Sequence, residues 1–196
     1  MIADSFTVGE TVMKMRPFLL ALAAAAGLAS TAAAQQPAGF WSTPVIKGIG
    51  TVHVWPEAVL RPDANTTYKT IADVTKPAPS NDKMNPGLEH IARVVNVFAA
   101  AGVPLSHLKM IAVIHGPATP IALSDKEYQA RFGHPNPNTA LIEELTKAGV
   151  QVYVCGNALG EMQYTPAQVN SNIKVALSAL STLVILQNQG YALLSM

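Results

Sequence analysis

The sequence predicts an α/β protein whose parallel sheet carries helices on both faces. Three observations support this. Short β-branched and apolar runs (residues 67–74, 108–114, 150–155, 173–177 and 191–194) alternate with segments of helical periodicity. The runs at 108–114 and 150–155 are almost continuously apolar, as strands covered on both faces are. Helix-start residues (Asn85-Pro86, Ser124, Asn138, Ser178) and helix-stop glycines (Gly102, Gly133, Gly149, Gly190) punctuate the intervals. Crossovers in such a chain are expected to be right-handed.

Part of the apolar content lies outside this pattern. The chain has 196 residues, 49% hydrophobic and 13% charged, with a formal net charge of +1. That length suits one domain. The charge balance offers neither a basic stripe for nucleic acid nor an acidic tail for a highly charged partner. Lys14 and Arg16 precede the apolar run 17–29, and Ala32-Ala33-Ala34 supplies small residues before Gln35. Basic, then apolar, then small is the order of an export signal, here cleaved near Ala34. The apolar run falls short of the roughly 20 residues that a spanning helix needs. Residues 1–34 are therefore expected to be a signal peptide with an upstream segment, with Met13 or Met15 as alternative starts. The mature chain is expected to be periplasmic or secreted and to hold no membrane span.

Residues 35–65, rich in proline and glycine, read as an extended arm with one short strand at 51–55. Phe40, Trp41 and Trp55 are its aromatic anchors, against its own domain or a neighbouring subunit. The strand at 67–74 follows, then a polar loop. Asn85 is placed as N-cap and Pro86 at the first helical position. Leu88, Ile91, Ala92, Val95, Phe98 and Ala99 recur at helical spacing up to Gly102. The second strand stops at His115-Gly116-Pro117. Ser124-Asp125-Lys126-Glu127 has the form of a capping box and opens a short helix. Asn138 caps the next, with Leu141, Ile142 and Leu145 inward. The third strand ends at Cys155, the single cysteine of the chain. Thr165-Pro166-Ala167-Gln168 is a second capping box, before the fourth strand. The last helix, 179–189, is apolar almost all round and is expected to be buried, inside the domain or in a subunit contact. With the final strand, residues 66–196 make one domain.

Ligands of open parallel sheets bind beyond the carboxyl ends of the strands. His115 and Cys155 end the second and third strands, and neighbouring strands would give them one crevice. A thiol at a helix start meets free backbone N–H groups that solvate a thiolate, and Gly156 and Asn157 are placed to offer such groups to an anion. The competing reading of Cys155 is a small buried hydrophobe. His115 is an acid/base, a hydrogen-bond partner for sulfur, or a structural histidine. Asp73 is expected to cap the loop after the first strand, or else to join the same rim. One cysteine forms no internal disulfide and supports no structural zinc, and the histidines have no metal spacing. Neither a glycine-rich phosphate motif nor a nucleophile elbow occurs. No metal and no cofactor is implied.

Four stretches together resemble the DsrE-like proteins. They are Asn85-Pro86-Gly87-Leu88-Glu89, the strand ending His115-Gly116, the strand ending Val154-Cys155-Gly156-Asn157, and the tail from Val175-Ala176-Leu177-Ser178 to Gln189-Gly190-Tyr191. The resemblance covers residues 66–196. It implies a three-layer α/β/α sandwich with a five-strand, mainly parallel sheet, assembled as homotrimers or homohexamers. It also implies sulfur relay, in which a cysteine carries sulfane sulfur as a persulfide between donor and acceptor proteins. By position that role falls on Cys155, with His115, Gly116, Gly156 and Asn157 around it. The alternative is a non-catalytic oligomeric binding module of the same fold. A thiol redox enzyme is less well supported, because no second cysteine stands in a CxxC arrangement.

Overall fold

Five strands, all parallel, end on one edge of a sheet, and the candidate residues lie along that edge. The computed structural model describes residue 37 and residues 39–196, so the expected signal at 1–34 lies outside the described residues. The strands are β1 (Tyr68–Val74), β2 (Leu108–Ile114), β3 (Gln151–Cys155), β4 (Ile173–Ala176) and β5 (Ala192–Ser195). Their order is β4-β3-β2-β1-β5. The α/β class and the five-strand sheet are those predicted, and all four strand pairings in the sheet are parallel. The helices are α1 (Pro86–Ala100), α2 (Asp125–Phe132), α3 (Thr139–Lys147), α4 (Gly156–Glu161) and α5 (Ala179–Asn188). Short 3-10 turns at Leu105–His107, Gly116–Ala122 and Pro166–Gln168 complete the connections.

Successive side chains of a strand point to opposite faces, which sorts the core into two unequal parts. Ala72, Val74, Met110, Ala112, Ile114, Val152 and Val154 face Leu88, Ile91 and Val95 of α1 and Leu141, Ile142 and Leu145 of α3. Ile71, Ile111, Val113 and Cys155 face the other way, closed by Ala158 and Ala179 with Leu183 and Leu186 of α5. Each large aliphatic side chain taken from water stabilises by about 1.5–3 kcal/mol, so the first cluster holds most of the hydrophobic stabilisation.

The helix starts follow the sequence in part. Asn85 caps α1, its side chain accepting from Gly87 N at 2.8 Å. Asn138 stands at the start of α3 without capping it. Its Oδ1 accepts from Asn85 N at 2.7 Å, and its amide donates to Asn136 Oδ1, which ties the starts of α1 and α3 together. Ser124 accepts from Glu127 N at 3.4 Å, but the box is not reciprocal. The Glu127 carboxylate takes the Gln168 amide at 2.9 Å, and Ser124 N donates to Gln168 O instead.

The arm differs from its expected form. The strand foreseen at 51–55 is a single antiparallel bridge between Ser42 and Val52. Ile46 and Val52 are buried, so this part of the arm packs on its own domain. Asn96 of α1, fully buried, fastens it. Its Oδ1 accepts from Val45 N and Ile46 N at 3.0 Å each, and its amide donates to the carbonyls of Ile46, Ile49 and Gly50 at 3.2, 2.9 and 3.1 Å. At Gly50, with φ +64°, a Cβ would collide with the Arg93 backbone, so the arm lies directly on the helix. Trp41 and Trp55 remain more than half exposed and pack edge-on around His53, which stacks on Phe40.

The last helix departs furthest from expectation. Within α5 only Ala179 is buried, while Leu180 is 75% and Val184 58% exposed. One stripe of α5 meets the sheet and, among the described residues, nothing covers the other, so the expected burial inside the domain is not found there. Among the described residues no helix is long and apolar enough to cross a membrane.

Candidate functional site

Cys155 is the last residue of β3 and the N-cap of α4. Its side chain is nearly enclosed, with the residue 5% exposed. The sulfur accepts from Ala158 N at 3.4 Å and from Ala179 N at 3.2 Å. The first contact places the thiol where a serine or aspartate would cap the helix. The second comes from the opening residue of α5. The first N–H groups of any helix lack intrahelical partners. Here one such group from each of two helices converges on a single sulfur atom, a polarised environment for negative charge.

Gly156 makes that convergence sterically possible. A Cβ at this position would stand 2.9 Å from Ala176 O and 3.3 Å from Leu177 O. The connection from β4 to α5 therefore crosses against the turn from β3 to α4, which delivers Ala179 N to the thiol. Gly156 acts by lacking a side chain, and the N–H groups at sulfur belong to Ala158 and Ala179 rather than to Gly156 and Asn157.

A cleft of about 250 Å³ opens beside the thiol. His115, Gly116 and Asn157 line it with Cys155, as do Ser178 and Leu180. Gly156 is not part of this lining. Ile114 pairs with Val154, so His115, just past the end of β2, stands level with Cys155, the last residue of β3. A hollow of similar size at α2, bounded by Leu123, Glu127, Arg131 and Gln168, holds no nucleophile. Glu127 and Gln168 there are already bonded to each other.

The sequence undervalued Asp73. It pairs with Val113, so it shares a face with His115 two residues further along. Asp73 Oδ1 and His115 Nε2 are 2.5 Å apart, and each side chain is about one-fifth exposed. Asp73 thus joins the rim instead of capping the loop. Strand parity counted back from the two strand ends was the available signal. Three adjacent strands accordingly present Asp73, His115 and Cys155 in spatial order along one edge. Among the described residues, no group of three or more His, Cys, Asp or Glu side chains is placed to hold a metal ion.

Residues 69–196 match the DsrE/DsrF-like family. Among solved structures, the protein of unknown function MTH1491 from Methanobacterium thermoautotrophicum is similar, with 19% identity and a TM-score of 0.51 over 66% of this chain and 99% of its own. The ychN protein from E. coli shares 11% identity, with a TM-score of 0.47, over 66% of this chain and 100% of its own. No curated protein matches the sequence. The first of these likenesses speaks to the fold alone.

Proposed function

The chain belongs to the DsrE/DsrF-like family, and from that premise we propose that it is an exported sulfur carrier that holds sulfane sulfur as a persulfide on Cys155. The observation that carries this reading is the pair of amide donors on the Cys155 sulfur, from Ala158 and Ala179, beside an open cleft. Sulfur transfer builds and discharges negative charge on sulfur, and fixed N–H dipoles stabilise it with little reorganisation. They steady the thiolate nucleophile when it forms. Once the persulfide forms, its outer sulfur projects into the cleft toward His115, Asn157 and Ser178. An acceptor thiol then removes it by attack on that outer atom. Export rests on the Lys14 to Ala34 pattern.

Intact-mass spectrometry tests the reading. Native protein exposed to glutathione hydropersulfide is expected to gain the mass of one or more sulfur atoms, lost again on reduction. Cys155→Ser is expected to gain none. The same spectrum of protein recovered from the producing cells shows whether the mature chain starts near Gln35. Absence of a Cys155-dependent gain would leave the non-catalytic binding module as the better account.

The partner proposed is a second copy of the chain, docked on α5. Leu177, Leu180, Val184 and Ile185 form an exposed apolar set there, and isolated patches of this kind mark interaction surfaces. Leu180 also lines the cleft, so an adjoining copy would border the thiol. The wild-type protein is expected to run as a homotrimer or homohexamer in light scattering, and Leu180→Glu with Val184→Glu as a monomer. A monomeric wild type, or an unchanged assembly in the double variant, would remove this surface from the account.

A further inference from the structure

We propose that Asp73 is a positioning residue, whose carboxylate fixes His115 with a hydrogen on Nε2 so that Nδ1 carries the proton delivered to the thiolate expelled during sulfur exchange. The inference rests on reading Cys155 as the nucleophile. It deepens that reading by assigning the proton.

Three observations carry it. First, Asp73 Oδ1 meets His115 Nε2 at 2.5 Å, on the side away from Cys155 in the order β3-β2-β1. An ionised carboxylate only accepts, so Nε2 keeps its hydrogen whether the ring is neutral or cationic. The proton that comes and goes is therefore the one on Nδ1, which bonds to no other described residue. Second, His115 and Cys155 line one cleft with no hydrogen bond between them, and the sulfur is already engaged by Ala158 N and Ala179 N. The ring thus acts on a molecule in the cleft rather than on the resting thiol. Third, both side chains of the pair are only about one-fifth exposed, which restricts the ring to few orientations.

The step balances. The Cys155 thiolate attacks the outer sulfur of a low-molecular-weight hydropersulfide, R–S–SH. A sulfur–sulfur bond forms to Cys155 and the donor's sulfur–sulfur bond breaks, its electron pair leaving on R–S. The His115 imidazolium passes its Nδ1 proton to that thiolate. The products are Cys155–S–SH, R–SH and neutral His115, and no external oxidant or reductant is consumed. Expulsion of a basic thiolate is slow without such a proton, whereas an acidic leaving group departs unaided.

That contrast supplies the test. Modification of Cys155 is timed with bis(2-hydroxyethyl) disulfide, which expels a basic thiolate, and with methyl methanethiosulfonate, which expels an acidic sulfinate. In Asp73→Asn the disulfide reaction is expected to slow about tenfold, part of the 10²–10⁴ that a positioned proton donor contributes. The methanethiosulfonate reaction is expected to stay within about twofold. Equal slowing of both reactions would show a merely structural role, and no slowing of either would show none; both outcomes overturn the proposal. A second measurement needs no Asp73 variant. Nitrogen-15 NMR of the wild type, with the signal assigned by His115→Gln, is expected to show the Nε2–H form of the neutral ring. The Nδ1–H form overturns the assignment. Neither experiment involves a persulfide, so failure of the carrier function would appear only in the mass-spectrometric test.

Discussion

Asn96→Leu is expected to lower the unfolding free energy by about 3–5 kcal/mol and to free the arm from α1. The side chain closes five hydrogen bonds to the segment 45–50. Removing it strands the buried N–H and C=O of Ile46, and each unsatisfied buried group costs about 1–3 kcal/mol. The remaining partners lie nearer the surface and recover water in part. Asn96→Asp is expected to be as damaging, because a carboxylate has no hydrogen for the three carbonyls that the amide satisfies. The measurement is direct, since the two tryptophans of the chain, Trp41 and Trp55, both belong to the arm. In the variant, their fluorescence should change at lower denaturant than the far-ultraviolet circular dichroism. Coincident transitions and a loss below about 1 kcal/mol would mean that water substitutes for the amide.

The second large effect is expected at Gly156→Ala. Its new Cβ would press on Ala176 O and Leu177 O, backbone atoms that cannot swing aside as a side-chain tip does. Overpacking of this kind costs about 1–3 kcal/mol. The functional loss should exceed the loss of stability, because the displaced segment is the one that brings Ala179 N to the thiol. Sulfur uptake measured by mass spectrometry should fall severely in protein that still folds, while its iodoacetamide labelling changes in rate. Unaltered uptake with a stability change under about 0.5 kcal/mol would show that the crossing relaxes freely.

Much of this architecture was legible in the sequence. Continuous apolar runs marked β2 and β3 because both faces of those strands are covered. Asn85-Pro86 marked the start of α1 because local backbone chemistry determines it. The edge residues His115 and Cys155 followed from where the apolar runs stop. What escaped depends on partners remote in sequence. Asn96 carries no signal of its role in the sequence, since the backbone groups it satisfies lie about 50 residues earlier. The second donor to the Cys155 sulfur comes from a residue 24 positions later, fixed by the β4–α5 crossing. Asp73 gained its meaning only from the register of β1 against β2. The apolar circumference of α5 indicated burial without saying whether its outer stripe meets the same chain or another.

The unequal clusters on the two faces of the sheet separate most of the folding energy from the candidate site, residue by residue. Val154 faces the deep side, among the side chains of α1 and α3, and the next residue, Cys155, faces the shallow one. Variation on the shallow side can reshape the candidate site while leaving most of the folding energy untouched. The arrangement also makes β3 intolerant of slippage, because a shift of one residue against β2 exchanges the two faces. Such a slip would drive the thiol into the interior and turn a valine toward the cleft.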